Sequence, residues 1–293
     1  MTLFEEFKNT LKMVEVEEVL DLIFYRPLAF IFVKSILRTN LTPNHLTIVS
    51  IIFGVLASIL LGLANPALYI LAGIFFIIYD VLDCSDGQLA RLKKNGTYIG
   101  RILDGFGDYI VSVAAYIGIG VGFASHSNNP LFWWAMVVAA GISNAIHSSV
   151  LDFYRNRFLD YALNRKSILG EDLRFYREEY DRLLKQKGKT FDKVMLWIYF
   201  KYSAVQLKFS STTVESETKK YDSKDFYKKN KLIMHLWTYL GPTTEISFLI
   251  ITAFINRIDI YLIGLVTVGN ILTLLLYLWQ RNVNSSTKLA EQS

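Results

Sequence analysis

Long apolar segments alternate with charged ones along this chain of 293 residues. A helix needs roughly 20 predominantly apolar residues to cross the hydrocarbon core of a bilayer. Runs near this length lie at 46–64, 67–82, 105–125, 131–151, 233–256 and 258–280. The pattern predicts an all-α integral membrane bundle of six transmembrane helices, with both termini on the same side of the membrane.

The apolar runs divide the chain into five parts. They are a cytoplasmic and interfacial N-terminal segment (1–43), a block of four transmembrane helices (44–151), a charged insert (152–231), a block of two further helices (232–282) and a C-terminal tail (283–293). In the first part, the apolar stretch 27–37 is too short to cross a bilayer and begins with proline, which suits a first helical turn. We expect an interfacial helix on the cytoplasmic leaflet; a helix buried against the bundle is the alternative.

The insert is net positive, with 19 Lys and Arg against 12 Asp and Glu. Its apolar and aromatic positions recur at spacings of three and four, which predicts an amphipathic helix. The residues that follow this rhythm are Leu173, Tyr176, Tyr180, Leu183 and Lys187. A solvated helical cap attracted to anionic lipid headgroups is the simplest interpretation; a regulatory or partner-binding role is the alternative.

Charge is distributed very unevenly over the predicted loops. Nearly all of the 31 Lys and Arg fall on one side of the six spans, and Arg257 is the only one in a loop on the other side. The positive-inside rule makes the basic side cytoplasmic. The chain is therefore expected in the cytoplasmic (inner) membrane, and its sequence pI of 9.0 is assigned to membrane orientation and not to nucleic-acid binding. The single cysteine excludes a disulfide framework.

Four carboxylates lie around the connection between the second and third apolar runs. They are Asp83, Asp86, Asp104 and Asp108. The first two are three residues apart and the last two are four apart, so each pair lies on one face of its helix. The short connection brings the second helix back antiparallel to the first. Such a cluster would repel itself at low dielectric, and hard divalent cations with oxygen ligands, Mg²⁺ or Mn²⁺, would relieve this.

These residues carry a resemblance to a known family. The chain reads Asp83-Cys-Ser-Asp86-Gly87-Gln-Leu-Ala90-Arg91, then, after eight residues, Gly100-Arg-Ile-Leu-Asp104-Gly-Phe-Gly-Asp108. This resembles the signature of the CDP-alcohol phosphotransferases at every fixed position. Thr42-Pro43-Asn44 is also similar to the family pattern at the start of its first span. The resemblance implies a six-helix membrane enzyme, usually a homodimer, that moves a phosphate-linked alcohol from a CDP carrier onto an acceptor hydroxyl and releases CMP.

The resemblance also implies roles for individual residues. It makes Asp83, Asp86 and Asp104 metal ligands, and Asp108 both a neighbour of the metal and the general base. Two ions, Mg²⁺ or Mn²⁺, are expected. The residues that it places at the CDP site are Asn44, Gly87, Ala90, Arg91 and Gly100.

Polar residues inside the later spans are candidates for the acceptor pocket, because polar faces in membrane bundles line cavities or form bonds between helices. They are Asn144, His147, His235 and Glu245, with Arg155 at the rim. His235 and Glu245 fall on one face of a single helix kinked at Gly241-Pro242. Asp80, one turn before Asp83, is expected to bond with Arg91 or with a backbone group, and otherwise to join the acidic site.

We expect the enzyme to transfer a phosphatidyl group from CDP-diacylglycerol to a soluble polyol, inositol-like or its phosphate. The expected partners are a CDP-linked lipid donor, an alcohol acceptor, membrane lipids and a second copy of the chain. In one alternative, a soluble CDP-alcohol donates a phospho-alcohol to a lipid hydroxyl. A membrane transporter that binds its cation at the carboxylates is an alternative of another class; it predicts charge at mid-membrane and repeated halves.

Overall fold

The computed structural model describes residues 3–11, 14–163, 169–185, 188–190, 193–194, 196–197 and 221–289. Throughout these residues, every regular element is helical, and one isolated β-bridge joins Tyr221 to Leu289. The all-α class is therefore confirmed.

Ten helices have defined bounds in the described residues. They are α1 (Leu3–Thr10), α2 (Arg26–Ile36), α3 (Pro43–Gly62), α4 (Pro66–Lys93), α5 (Tyr98–Ser125), α6 (Pro130–Ala162), α7 (Leu169–Leu184), α8 (Ser223–Trp237), α9 (Pro242–Phe254) and α10 (Ile258–Ser286). Short 3₁₀ turns lie at Val14–Val16 and Thr238–Leu240, and π-helical turns at Asp21–Tyr25 and, inside α10, at Leu265–Gly269.

Five of these helices, α3, α4, α5, α6 and α10, are long and apolar enough to cross a membrane. The fifth predicted span, 233–256, is not one helix. It is divided between α8 and α9, because Gly241 adopts an extended conformation and Pro242 begins a new helix. Proline lacks the N–H that a continuous helix needs and fits its first turn instead. The 13 residues of α9 form an apolar helix that is shorter than the other spans.

The centre of the bundle is the packing of α3 against α4 and α5. At the crossing of α3 and α5 the backbones touch, since a Cβ on Gly118 would lie 2.0 Å from the carbonyl oxygen of Ser58. Small residues permit such close contact between membrane helices. The core around this crossing includes Leu61, Phe76 and Ile119, which are all essentially fully buried. The packing fixes α4 and α5 relative to each other.

The N-terminal segment packs onto the C-terminal half of α4. Ala29 and Val33 of α2 are fully buried, whereas Ile31 on the opposite face is 69% exposed. One face of α2 therefore belongs to the bundle, and its other face is apolar and free to contact lipid.

The insert contributes α7, as the 3-4 rhythm predicts for 173–183; Lys187 lies outside the described residues. Leu183 packs with Ile99 and Ile102 at the start of α5, and the Tyr98 hydroxyl donates to Glu179 at 2.8 Å. This part of the insert is thus attached to the helix that carries Asp104.

Candidate active site

Three of the four motif carboxylates converge. One oxygen from each of Asp83, Asp104 and Asp108 lies within 4.8 Å of the other two. Asp83 belongs to α4, and the other two belong to α5. Lys94, in a left-handed conformation, ends α4, and the Thr97 side chain caps the N-terminus of α5, so α5 returns antiparallel after a very short connection. Oxygen atoms this close fit a hard divalent cation, which coordinates carboxylates.

Asp86 is separate from this group. It is buried at the interface of α3 and α4, where its Oδ2 accepts a hydrogen bond from the hydroxyl of Thr47. Thr47 lies one turn after Asn44 on α3. The sequence predicts Asp86 beside Asp83, but their spacing of three leaves Asp86 turned toward α3.

Tyr79 is a site residue that the sequence analysis missed. Its hydroxyl donates a hydrogen bond of 2.7 Å to Asp108 Oδ1, and the side chain is only 7% exposed. Tyr79 precedes Asp83 by four residues and therefore lies on the same face of α4. This spacing of four residues could have identified Tyr79 from the sequence. An aromatic residue in an apolar span is, however, more often part of the hydrophobic core.

Arg91 lies over Gly87 and not over the carboxylates. A Cβ on Gly87 would be 3.3 Å from both terminal nitrogens of Arg91, so glycine leaves room for the guanidinium. Arg91 Nε donates to the backbone carbonyl of Thr10, at the C-terminal end of α1. Ala90 precedes Arg91 in the last turn of α4. The N-terminal helix therefore contacts the residues that the motif places at the CDP site.

Asn44 and Gly100 are adjacent in the structure, although 56 positions separate them in the sequence. A Cβ on Gly100 would lie 2.7 Å from Asn44 Oδ1 and 3.1 Å from Thr97 Oγ1. The capping hydroxyl of Thr97 accepts from the Gly100 N–H at 2.9 Å. The start of α3 and the start of α5 thus meet at a glycine that leaves no space for a side chain.

The comparison with known proteins agrees with this geometry. Residues 40–163 match the family model for CDP-alcohol phosphatidyltransferase. The chain carries a CDP-alcohol phosphatidyltransferase domain. This stretch includes α3 to α6, all four motif carboxylates, Asn44 and Arg91.

Three relatives share parts of the sequence. A bifunctional IPC transferase and DIPP synthase of Thermococcus kodakarensis is 27% identical over 173 residues, which cover 57% of this chain and 34% of the relative. An archaetidylinositol phosphate synthase of Pyrococcus horikoshii is 35% identical over 89 residues, which cover 30% of this chain and 46% of the relative. The inner membrane protein YnbA of Escherichia coli is 36% identical over 81 residues, which cover 27% of this chain and 40% of the relative. The chain thus spans less than half the length of these relatives.

Three of the five acceptor candidates are connected by hydrogen bonds, and the other two lie elsewhere. Asn144 and His147 lie on α6 inside the CDP-alcohol phosphatidyltransferase domain, and both bond to Glu245 on α9. The Glu245 Oε1 to His147 Nδ1 distance is 2.6 Å, and His147 Nε2 lies 3.1 Å from Asn270 Oδ1 on α10. His147 is fully buried. These residues therefore join α6, α9 and α10.

His235 and Arg155 lie outside that network. His235 is exposed and packs edge-on against Tyr239, because the break at Gly241 turns α8 away from the face of α9 that carries Glu245. Arg155 donates to the Val16 carbonyl at 3.2 Å and lies near Glu18, at 4.0 Å. It therefore holds the N-terminal segment against α6.

Asp80 does not bond with Arg91. It is 6% exposed, and its neighbours are Asp21 of the N-terminal segment and Cys84. The expected pairing fails because Arg91 lies three turns further along α4 and points toward α1.

Proposed function

We propose that this chain is a divalent-metal-dependent membrane phosphotransferase that transfers a phosphatidyl group from CDP-diacylglycerol to a hydroxyl of a soluble polyol and releases CMP. The convergence of Asp83, Asp104 and Asp108 from two antiparallel helices is the observation that carries this proposal. An inositol-like acceptor, or its phosphate, is favoured by the name of the Pyrococcus horikoshii relative.

The carboxylates fit Mg²⁺ or Mn²⁺. The three converging residues offer only oxygen atoms, which hard cations prefer. Asp86, whose carboxylate accepts from Thr47, would serve as a fourth ligand only after its side chain turns toward Asp83. When bound, two such ions would neutralise the pyrophosphate of the donor and stabilise CMP as it leaves.

The residues of the chain itself would bind the donor and move one proton. Asn44, Gly87, Ala90, Arg91 and Gly100 would hold the CDP group. Asp108 would accept the proton of the acceptor hydroxyl as its oxygen bonds to phosphorus and the bond from phosphorus to the CMP oxygen breaks. The hydrogen bond from Tyr79 would keep the Asp108 carboxylate oriented toward that hydroxyl. No covalent intermediate with the enzyme is needed.

Polar side chains between α6 and α9 would form the acceptor pocket. Asn144, His147 and Glu245 would bind acceptor hydroxyls, with Arg155 at the rim and His235 further out. Their bonds to one another support a second role, in which they hold three helices together.

We propose that α9 is the sixth membrane-spanning segment of the bundle. We also propose that the protein is a homodimer in the membrane. The excess of basic residues on one side of the spans supports a location of the carboxylates at the cytoplasmic face of the inner membrane. The similarity to an inner membrane protein of Escherichia coli favours this location. The apolar outer face of α2 suits the interface of the cytoplasmic leaflet.

The decisive experiment supplies purified protein with labelled CDP-diacylglycerol and a panel of alcohols, including inositol and inositol phosphate. Release of CMP together with a new phospholipid is expected only when a polyol acceptor is present. Product from a soluble CDP-alcohol and diacylglycerol would instead show that the lipid is the acceptor. Absence of transfer with every donor, combined with cation uptake into vesicles, would favour the transporter.

A further inference from the structure

A second group of metal-ligating side chains lies outside the catalytic carboxylates. Asp21 comes from the π-helical turn before α2, and Asp80 and Cys84 come from one face of α4. One ligand atom of each lies within 4.8 Å of the other two, and all three residues are buried. The group therefore sits at the contact between the N-terminal segment and the helix that carries Asp83.

Asp80 lacks a partner in this group. Its Oδ2 is buried and accepts no hydrogen bond from the described residues, although the residue is only 6% exposed. A buried acceptor left unsatisfied costs about 1–3 kcal/mol, and more if it is charged. The carboxylate with this unsatisfied oxygen is the one that approaches Asp21 and Cys84, and it is almost completely shielded from solvent.

The surrounding groups do not supply the missing positive charge. The Arg26 guanidinium forms a salt bridge of 2.7 Å with Glu17 and lies 3.9 Å from Asp21 Oδ2. The other contacts of Asp21 are long: the Cys84 thiol at 3.5 Å and the Thr243 hydroxyl at 3.4 Å. The guanidinium of Arg26 thus lies at the limit of ion-pair distance from Asp21 and is closer to Glu17.

We propose that Asp21, Asp80 and Cys84 bind a divalent transition-metal ion at a site separate from the catalytic carboxylates. Sulfur among the ligands favours a borderline ion such as Zn²⁺ over Mg²⁺. Ligands about 2.0–2.3 Å from a tetrahedral ion are about 3.3–3.8 Å apart, which matches the 3.5 Å between Cys84 Sγ and Asp21 Oδ1. Binding releases the thiol proton to solvent, because the thiolate is the ligand.

The ion would join two parts of the molecule that are distant in sequence. Asp21 is followed by α2 and preceded by α1, whose Thr10 carbonyl accepts from Arg91. The site would therefore hold the N-terminal segment against α4, one helical turn from Asp83. Its residues position the active site and do not touch the reacting atoms.

Co²⁺ provides a direct probe, because a cobalt–thiolate bond gives a near-ultraviolet charge-transfer band. Cys84 is the only cysteine in the chain, so this band reports this site alone, and the all-oxygen catalytic site cannot produce it. Titration of the purified full-length chain is expected to give a band that saturates at one equivalent per chain. Zn²⁺ should displace it, and millimolar Mg²⁺ should not.

Variants identify the ligands. Cys84→Ser should abolish the band, and Asp80→Asn and Asp21→Asn should each weaken Co²⁺ binding at least tenfold. Asp108→Asn, the matched control at the catalytic site, should leave the band unchanged. Two independent carboxylate variants keep the test valid if one of them fails to fold.

Three results would overturn the proposal. They are no thiolate band at any Co²⁺ concentration, a band unchanged in both carboxylate variants, or displacement of the band by Mg²⁺ as readily as by Zn²⁺. None of these results depends on CMP release, so the site is tested independently of the proposed catalytic activity.

Discussion

Tyr79 donates a hydrogen bond of 2.7 Å to Asp108, joining the middle of α4 to the last carboxylate of the motif on α5. The tyrosine is buried, whereas Asp108 is exposed. Tyr79 thus fixes the position of one oxygen of Asp108. This arrangement suits a base that must keep a defined orientation, and it leads to the first prediction.

Tyr79→Phe should lower kcat by about 10- to 100-fold, since a hydrogen bond to a charged group contributes about 1.5–3 kcal/mol. The KM for the CDP donor should change little, because the Tyr79 hydroxyl bonds to the proposed base and not to a proposed CDP-binding residue. Steady-state CMP release measures both constants. Tyr116→Phe is the matched control: it removes a tyrosine hydrogen bond of 3.0 Å, to Tyr261, in the core. An equal loss of kcat in both variants would show that Tyr79 contributes only to packing.

Asp108 and Asp83 should respond differently to removal of charge. Asp108→Asn should abolish turnover and keep much of the affinity for the CDP donor, whereas Asp83→Asn should weaken binding of metal and nucleotide as well. EDTA should abolish the wild-type activity, and Mg²⁺ or Mn²⁺ should restore it. Nucleotide binding by calorimetry and CMP release test this; full activity in metal-free buffer would contradict metal dependence.

Gly100→Ala should disrupt the meeting of α3 and α5. The new methyl group would lie 2.7 Å from Asn44 Oδ1, so Asn44 or the first turn of α5 must move. We expect a loss of at least tenfold in kcat/KM for the CDP donor. Gly105→Ala, one turn further along α5, meets no atom within 4 Å and is the control. Similar kinetics in the two variants would remove Gly100 from the CDP site.

Glu245→Gln tests the acceptor pocket. A buried polar pocket discriminates strongly between acceptors that do and do not satisfy its groups, so the KM for the polyol should rise far more than the KM for the donor. The variant should also lose about 2 kcal/mol of stability, because its amide N–H₂ faces the donor of Asn144. Ser143→Ala removes a bond to Asn270 in the same network and serves as control. Reduced stability with unchanged KM values would assign Glu245 to helix packing alone.

Glu18 should make stability depend on pH. Its Oε2 accepts from the Thr244 N–H at 3.0 Å, and the Gly241 backbone packs against the carboxylate. Burial and, to a smaller extent, Asp21 raise the pKa of Glu18 from 4.5 to about 8, while the Thr244 N–H and Arg155 oppose this. Folding therefore takes up a proton between these pH values, and stability is fully present below about pH 4.5 and declines as pH rises toward 8.

The decline should approach about 1.4 kcal/mol per pH unit for this one group. Glu18→Gln keeps an acceptor for Thr244 and removes the titration, so its stability relative to wild type should increase from pH 5 to pH 8. Thermal unfolding in detergent with EDTA present measures this difference. A constant difference across the range would show that Glu18 stays ionised in the folded protein.

The sequence by itself determined the helical class, most of the apolar spans and the helix faces of the motif. These properties depend on local periodicity and on covalent spacing, as with Asp104 and Asp108, four residues apart on α5. The short connection after Lys94 was also sufficient to predict that α4 and α5 run antiparallel. The sequence predicted a kink at Gly241-Pro242, but it did not show that the helix ends there. Neighbouring helices decide whether a proline bends a helix or ends it.

Only the tertiary structure decided which distant side chains meet. Tyr79 contacts Asp108, Asp86 turns to Thr47, and Asp80 faces Asp21. Each contact depends on the rotation of one helix about its axis relative to its neighbours. Packing at glycines such as Gly118 sets that rotation, and the pattern of apolar residues in a membrane span specifies it poorly, because lipid and protein neighbours are equally apolar.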